Sequence, residues 1–100
     1  MKGVTTVLTA PGELEQREYD VSDPVPGGVL LEMLRANVCG SEVHILKGQH
    51  PLIRPGCVLG HEEHGRVARL GEGVTTDFAG QPLAEGDRVV ATYFEACRRC

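Results

Sequence analysis

Positive charge is scarce in this sequence of 100 residues, where 10 Lys and Arg stand against 14 Asp and Glu, for a formal net charge of -4. Proteins that bind nucleic acid gather basic side chains on one face, because phosphate contacts dominate that affinity. Clusters of Lys and Arg also attach proteins to anionic lipid surfaces. The sequence therefore predicts neither a nucleic-acid partner nor a polybasic membrane anchor.

Long apolar runs are lacking as well. No stretch approaches the roughly 18 residues of a transmembrane helix, and the opening MKGVTTVLTAPGELEQREYD has no sustained apolar region of the kind that a signal peptide needs. The remaining composition, 41% hydrophobic and 24% charged, is typical of one small globular domain. We therefore expect a cytoplasmic protein without a membrane partner. Its four cysteines then favour metal binding over disulfides.

Short strands and turns are indicated by 13 Gly and 6 Pro, which are spread along the chain. The β-branched segment KGVTTVLTA predicts a strand, Pro11-Gly12 a turn, and ELEQREYDV the antiparallel partner. The segment GVLLEMLRANV suits a helix by propensity, but Gly27-Gly28 offers no capping side chain, so we favour a buried strand. The proline-containing HPLIRPGCVLG is expected to be extended.

One short helix is predicted in SEVHILKG, where Ser41 is a suitable N-cap, Glu42 favours the first turn and Gly48 can end the helix. Further strands are predicted in GRVARLGEGV and, as a buried strand, in residues 88–94. The fold class is therefore mainly β with a short helix, arranged as a partly open β-barrel or sandwich.

The segment GHEEHG contains four side chains with metal-binding chemistry. His61 and His64 stand at i and i+3, one residue short of the metalloprotease zinc pattern, and the flanking glycines oppose a stable helix. In an extended segment, Glu62 and His64 face one side, and the other two polar residues face the opposite side. Taken alone, the segment favours a solvated loop.

Two cysteine-containing segments are similarly weak by themselves. In CGSEVH, Cys39 is a candidate zinc ligand. Ser41 and His44 can share one helix face and pass a proton to solvent. Taken alone, however, the segment is more commonly explained by a buried cysteine that packs as a small apolar residue and by an exposed histidine. In CRRC, Cys97 and Cys100 have the spacing of half a zinc knuckle or of a redox pair. A zinc site there needs two more ligands.

The order of these motifs is more specific than any one of them. Cys-Gly-Ser-x-x-His is followed by a proline-rich stretch, Gly-His-Glu-x-x-Gly, Gly-Asp-Arg-Val and Cys-x-x-Cys. This order resembles the N-terminal catalytic domain of the zinc-dependent medium-chain alcohol dehydrogenases, which has a GroES-like β-fold. The resemblance covers essentially the whole chain and implies that 1–100 is the N-terminal part of that domain.

The resemblance also implies roles for individual residues. Cys39 and His61 match two catalytic zinc ligands, and Glu62 matches an acidic neighbour that ligates zinc in some members. Ser41 and His44 match a relay that carries the alcohol proton away. The implied reaction is hydride transfer between an alcohol and NAD or NADP, with zinc as a Lewis acid. A small alcohol or carbonyl substrate and a homo-oligomeric full-length protein are expected with it.

The structural zinc lobe of the family is matched by Cys97 and Cys100, as two of its four cysteines. Gly60 and Gly65 match the glycines around the zinc histidine, and we expect them to permit close backbone packing. The sequence departs from the family at Glu42, where Asp is usual, and at His64, where a small residue is usual; we assign His64 no ligand role.

Several family features are absent from these 100 residues. They are the third catalytic zinc ligand, the last two structural cysteines and a dinucleotide-binding domain with its G-x-G-x-x-G fingerprint. We therefore expect a fragment that is inactive alone. The alternative function is a non-catalytic GroES-like or zinc-knuckle interaction module, and a third is a thiol oxidoreductase built on CRRC.

Overall fold

The structure is a computed structural model that describes residues 1–92. Contacts divide the described residues into two units, one made of Met1–Val21 with Asn37–Gly60 and the other of Ser22–Ala36 with residues 61–92. Five strands and one helix follow in chain order: β1 Lys2–Ala10, β2 Glu13–Asp20, β3 Val29–Ala36, α1 Gly40–Leu46, β4 Glu63–Leu70 and β5 Arg88–Ala91. The prediction of a mainly β chain with a short helix is confirmed.

The first unit is built on the antiparallel hairpin of β1 and β2, with a register that runs from Lys2 opposite Asp20 to Ala10 opposite Glu13. On its other side, β1 bonds to residues 56–59, where Leu8 N–H donates to Cys57 O at 3.0 Å. Every residue of β2 is exposed. The strand and turn predicted here are confirmed, whereas HPLIRPGCVLG turns at 51–52 and 55–56 instead of being extended throughout.

Helix α1 begins two residues earlier than the sequence predicts, because Cys39 and not Ser41 occupies the N-cap position. Cys39 has an extended backbone, φ -100° and ψ 168°, and its carbonyl accepts a bond from Glu42 N–H at 3.1 Å. Ser41 lies inside the helix, where its hydroxyl is hydrogen-bonded to the Cys39 sulfur instead of to the backbone. The predicted cap at Ser41 is therefore wrong.

The end of α1 agrees with the prediction. Gly48 has φ +74°, which is a left-handed conformation that side chains other than glycine adopt at a cost. Its N–H donates to Ile45 O at 3.0 Å, and Gln49 N–H donates to His44 O at 2.9 Å. This pair of bonds is the Schellman motif, which satisfies carbonyls that the end of a helix leaves open. Ile45 is buried, as are Val7 and Leu8 of β1.

The second unit contains an antiparallel sheet in the order β3-β4-β5, with β4 in the centre. Among the residues of this unit that the structure describes, Val67 of β4 is the one buried apolar residue. The strands β3 and β5 were predicted to be buried, but Met33 and Val90 are 48% and 76% exposed. This prediction is wrong because both strands lie at the sheet edges and residues 1–92 do not cover both faces of either.

Within residues 1–92 the structure has no helix that is long and apolar enough to cross a lipid bilayer.

Candidate metal centre

The start of α1 brings together two of the side chains to which the sequence assigns chemistry. Cys39 stands at the N-cap and is half-buried, and its Sγ atom is hydrogen-bonded to Ser41 Oγ at 2.8 Å. The bond forms because the extended backbone of Cys39 turns directly into the helix, which folds residue 41 back towards residue 39. A sulfur with a hydroxyl beside it is therefore held at this end of the helix.

His44 lies one turn further along α1 and is exposed. Its Nδ1 atom is 3.1 Å from Gln49 Oε1. Among residues 1–92, no hydrogen bond joins His44 to Ser41, so the two members of the expected proton relay are on the same helix but bonded to different neighbours. Sequence reasoning missed Gln49; the clue was Gly48, because a helix-ending glycine turns the next residue back over the last turn.

Glu42 is buried, with 9% of its surface exposed, in the first turn of the same helix. A buried carboxylate is unusual, because removing its charge from water costs free energy that bonded partners must offset. The side chain of Glu42 therefore faces inward at the start of α1, at a position where the family that the sequence resembles usually has Asp.

The second group of candidate residues leads into β4. His61 is half-buried and Glu62 is exposed, and neither lies in a regular element; β4 begins at the next residue, Glu63. His64 lies within the strand, opposite Arg35 of β3 and Val90 of β5. The segment GHEEHG is therefore half loop and half strand, and the two histidines have different surroundings.

The two glycines of this segment do different things. A Cβ atom at Gly65 would lie 2.9 Å from the Glu32 backbone oxygen, so the close packing expected there is confirmed. A Cβ atom at Gly60 would meet nothing within 4 Å, so the same expectation is wrong for that residue. Gly60 has φ +104°, and the conformation of the backbone just before His61 is what requires glycine there.

Within the part of the chain that the structure describes, Cys39, His61 and Glu62 form the one group of three side chains with metal-ligand atoms close together. Each offers one ligand atom, and these atoms all lie within 4.8 Å of one another. Bonds of about 2.0 to 2.3 Å in a tetrahedral zinc site hold neighbouring ligand atoms about 3.6 Å apart. The sulfur, nitrogen and oxygen donors are those that zinc binds, so this group fits the ion.

Cys57 is the one further cysteine among residues 1–92, and it is not part of this group. Cys97 and Cys100 lie outside the described residues, so their predicted zinc site is not addressed by the structure. Cys57 is a half-buried free thiol in the segment that pairs with β1.

Comparison with known proteins decides the family. The model of the alcohol dehydrogenase GroES-like domain matches residues 25–100. The chain belongs to the alcohol dehydrogenase GroES-like domain family. This membership confirms the resemblance and the fold class that the motif order predicted.

The relatives that the chain has among the alcohol dehydrogenases are much longer than the chain itself. The 5-exo-hydroxycamphor dehydrogenase of Pseudomonas putida is 42% identical over 94 residues, which are 94% of this chain and 26% of the relative. An S-(hydroxymethyl)glutathione dehydrogenase of Escherichia coli O6:H1 is 39% identical over 101 residues, covering 100% of the chain and 26% of the relative. The chain thus spans about a quarter of the length of these relatives.

Solved alcohol dehydrogenases share the fold. One from Thermotoga maritima superposes with a TM-score of 0.80 at 36% identity, covering 88% of this chain and 24% of that one. The apo form of zinc dependent alcohol dehydrogenase 2 from Streptococcus pneumonia gives 0.77 at 28% identity, covering 97% and 26%. Zinc dependence therefore occurs among the structural neighbours of this chain.

Proposed function

We propose that the full-length protein is a zinc-dependent dehydrogenase that transfers a hydride between an alcohol or polyol and NAD or NADP. Residues 1–100 are then the N-terminal part of its GroES-like catalytic domain. The observation that carries the proposal is the group of Cys39, His61 and Glu62, whose ligand atoms lie within 4.8 Å of one another in a member of the alcohol dehydrogenase family.

In this proposal, Cys39 and His61 hold the catalytic zinc through sulfur and nitrogen, and Glu62 is the carboxylate that can join them. The half-burial of Cys39 and His61 supports a role for both in an enclosed site, whereas the exposure of Glu62 suits a ligand that binds conditionally. When bound, zinc supplies a Lewis acid that polarises the substrate oxygen. The nicotinamide cofactor supplies the hydride acceptor, and the residues that bind it belong to a domain outside this chain.

Ser41 is proposed to relay the proton of the alcohol as the alcohol is oxidised: its hydroxyl takes up that proton and releases its own towards His44. Its hydroxyl is 2.8 Å from the sulfur of a proposed ligand, so it lies beside the group that would hold the substrate. His44 is on the same helix and exposed, so it can deliver that proton to water. General acid–base transfer of this kind contributes about 10² to 10⁴ in rate.

Three other properties of the full-length protein are also proposed. Cys97 and Cys100 would bind a second, structural zinc together with two ligands from outside the chain. Cytoplasmic location and assembly into a homo-oligomer are proposed from the composition and from the resemblance to the family.

The test is to purify the full-length protein, measure its zinc content and record NAD(P)H formation with a panel of primary, secondary and polyhydroxy alcohols. We expect bound zinc and reduction of one of the two cofactors, both lost on removal of the metal with a chelator. Full activity in a zinc-free preparation would contradict the zinc assignment. Bound zinc without oxidation of any alcohol would favour the non-catalytic module instead.

A further inference from the structure

Gln49 contacts His44 twice. Its backbone N–H donates to His44 O at 2.9 Å, and its side-chain Oε1 is 3.1 Å from His44 Nδ1. The first bond belongs to the Schellman motif, in which Gly48 turns the chain back over the last turn of α1. Any residue except proline at position 49 would make that backbone bond. The side-chain bond, in contrast, depends on the amide of Gln49.

The side-chain bond determines which ring nitrogen of His44 carries hydrogen. The amide oxygen can only accept a hydrogen bond, so Nδ1 must be the donor, and the neutral ring then keeps its lone pair on Nε2. The arrangement also holds after protonation, because Nδ1 carries hydrogen in both the neutral and the charged ring. His44 can therefore gain and lose a proton at Nε2 without any movement of Gln49.

We propose that Gln49 is a positioning residue that holds His44 in the Nδ1–H tautomer, so that Nε2 is the atom that receives the proton from the substrate. The origin of that proton rests on the proposed function. The tautomer itself does not, since it follows from the contact between Gln49 and His44. The proposal assigns a role to a residue just beyond the helix, outside the Cys-Gly-Ser-x-x-His motif.

The first test measures the tautomer directly, by nitrogen NMR of the full-length protein labelled with 15N-histidine. The signal of His44 is assigned by its loss in His44→Asn, and spectra are recorded near pH 8.5, about two units above the ordinary pKa of histidine. We expect mainly the Nδ1–H form in the unchanged protein. A hydrogen bond of ordinary strength changes such a ratio by about fivefold, so Gln49→Ala should shift the ratio towards Nε2–H by that factor.

Two further variants control this test. Gln49→Glu keeps an accepting oxygen at the same place, so it should restore the Nδ1–H form. Gln16→Ala removes an exposed amide from β2 and should leave the His44 signal unchanged. An Nε2–H ring in the unchanged protein would overturn the proposal, as would a ratio that does not respond to Gln49→Ala.

Kinetics separate this inference from the proposed function. With an alcohol that the enzyme oxidises, Gln49→Ala should lower kcat by about fivefold while KM stays within about twofold, because the hydrogen bond acts on proton transfer and not on binding. Gln49→Glu should restore kcat. If no alcohol is oxidised but the tautomer responds as expected, the proposed function fails and the positioning role stands. If an active enzyme shows no change of tautomer, the positioning role alone fails.

Discussion

Replacing His61 by alanine in the full-length protein removes one of the three ligand atoms that lie within 4.8 Å of one another. His64 offers a matched control, because it is also a half-buried histidine and is only three residues further along the chain. It differs in its position, since it lies inside β4 opposite Val90 and is not part of the ligand group. The two substitutions remove the same side chain from two places that the structure distinguishes.

The expected magnitude follows from the number of ligands. Zinc sites with four ligands have apparent binding free energies of about 10 to 16 kcal/mol, or roughly 3 kcal/mol for each ligand. His61→Ala should therefore weaken binding at the catalytic site on the order of 100-fold and abolish alcohol oxidation at ordinary zinc concentrations. His64→Ala should leave affinity and activity within about twofold, because the ligand group keeps all its members.

The assay is titration of the metal-free protein with zinc in competition with a chelating dye, together with NAD(P)H formation at each zinc level. Circular dichroism of both variants shows whether the fold is kept. Excess zinc should partly rescue activity in His61→Ala if a vacant ligand position is the only defect. Equal loss of zinc in the two variants would refute the assignment of His61, and so would an unchanged zinc affinity in His61→Ala.

Three more predictions concern the proton path, the sheet and the hairpin. Ser41→Ala should retain zinc but lower kcat on the order of 100-fold; loss of zinc together with turnover would show that Ser41 supports the ligand and not the proton. Gly65→Ala should lower the free energy of unfolding by about 1 to 3 kcal/mol in urea titrations, because its new methyl group meets the backbone of β3. Gly40→Ala, where a Cβ atom meets nothing within 4 Å, is its control and should cost nothing. The pKa of Glu15 lies below the ordinary value of 4.5 because of its hydrogen bond to Arg17 and the positive charge of that residue. Arg17→Ala should raise the pKa of Glu15 in an NMR titration. The small stabilisation that the pair contributes is present above pH 4.5 and is lost as the pH falls through the lowered pKa of Glu15. An unchanged pKa of Glu15 in the variant would show that the pair does not form in solution.

The sequence was informative where the local rules agreed or where only one of them applied. The β-branched residues and Pro11-Gly12 are enough to specify the hairpin of β1 and β2, because strand propensity and turn chemistry agree there. Gly48 likewise predicts the end of α1, since few other residues accept its backbone conformation at low cost. The motif order predicted the family, which the match to residues 25–100 confirms.

Local rules failed where two of them competed. Ser41 is a good capping residue, but the backbone of Cys39 is already extended and the serine hydroxyl bonds to sulfur instead. The apolar residues of β3 and β5 predicted burial, yet burial depends on what covers a strand, and this is not encoded in the strand itself. Composition does not identify Gln49 as the hydrogen-bond partner of His44, because that contact depends on where the chain turns after Gly48.

The exposed strand β2 has a consequence for how copies of the protein meet. Its outer edge is unpaired within residues 1–92, and an open edge of this kind is a template on which a second chain can add a strand. Here the strand carries Glu13, Glu15, Glu18 and Asp20 against a single Arg17, so two such strands aligned side by side would bring an excess of negative charge together, although Glu15 and Asp20 are ion-paired with Arg17 and Lys2. The charge is therefore expected to oppose aggregation through this edge, and the homo-oligomer proposed for the full-length protein is expected to use a different surface.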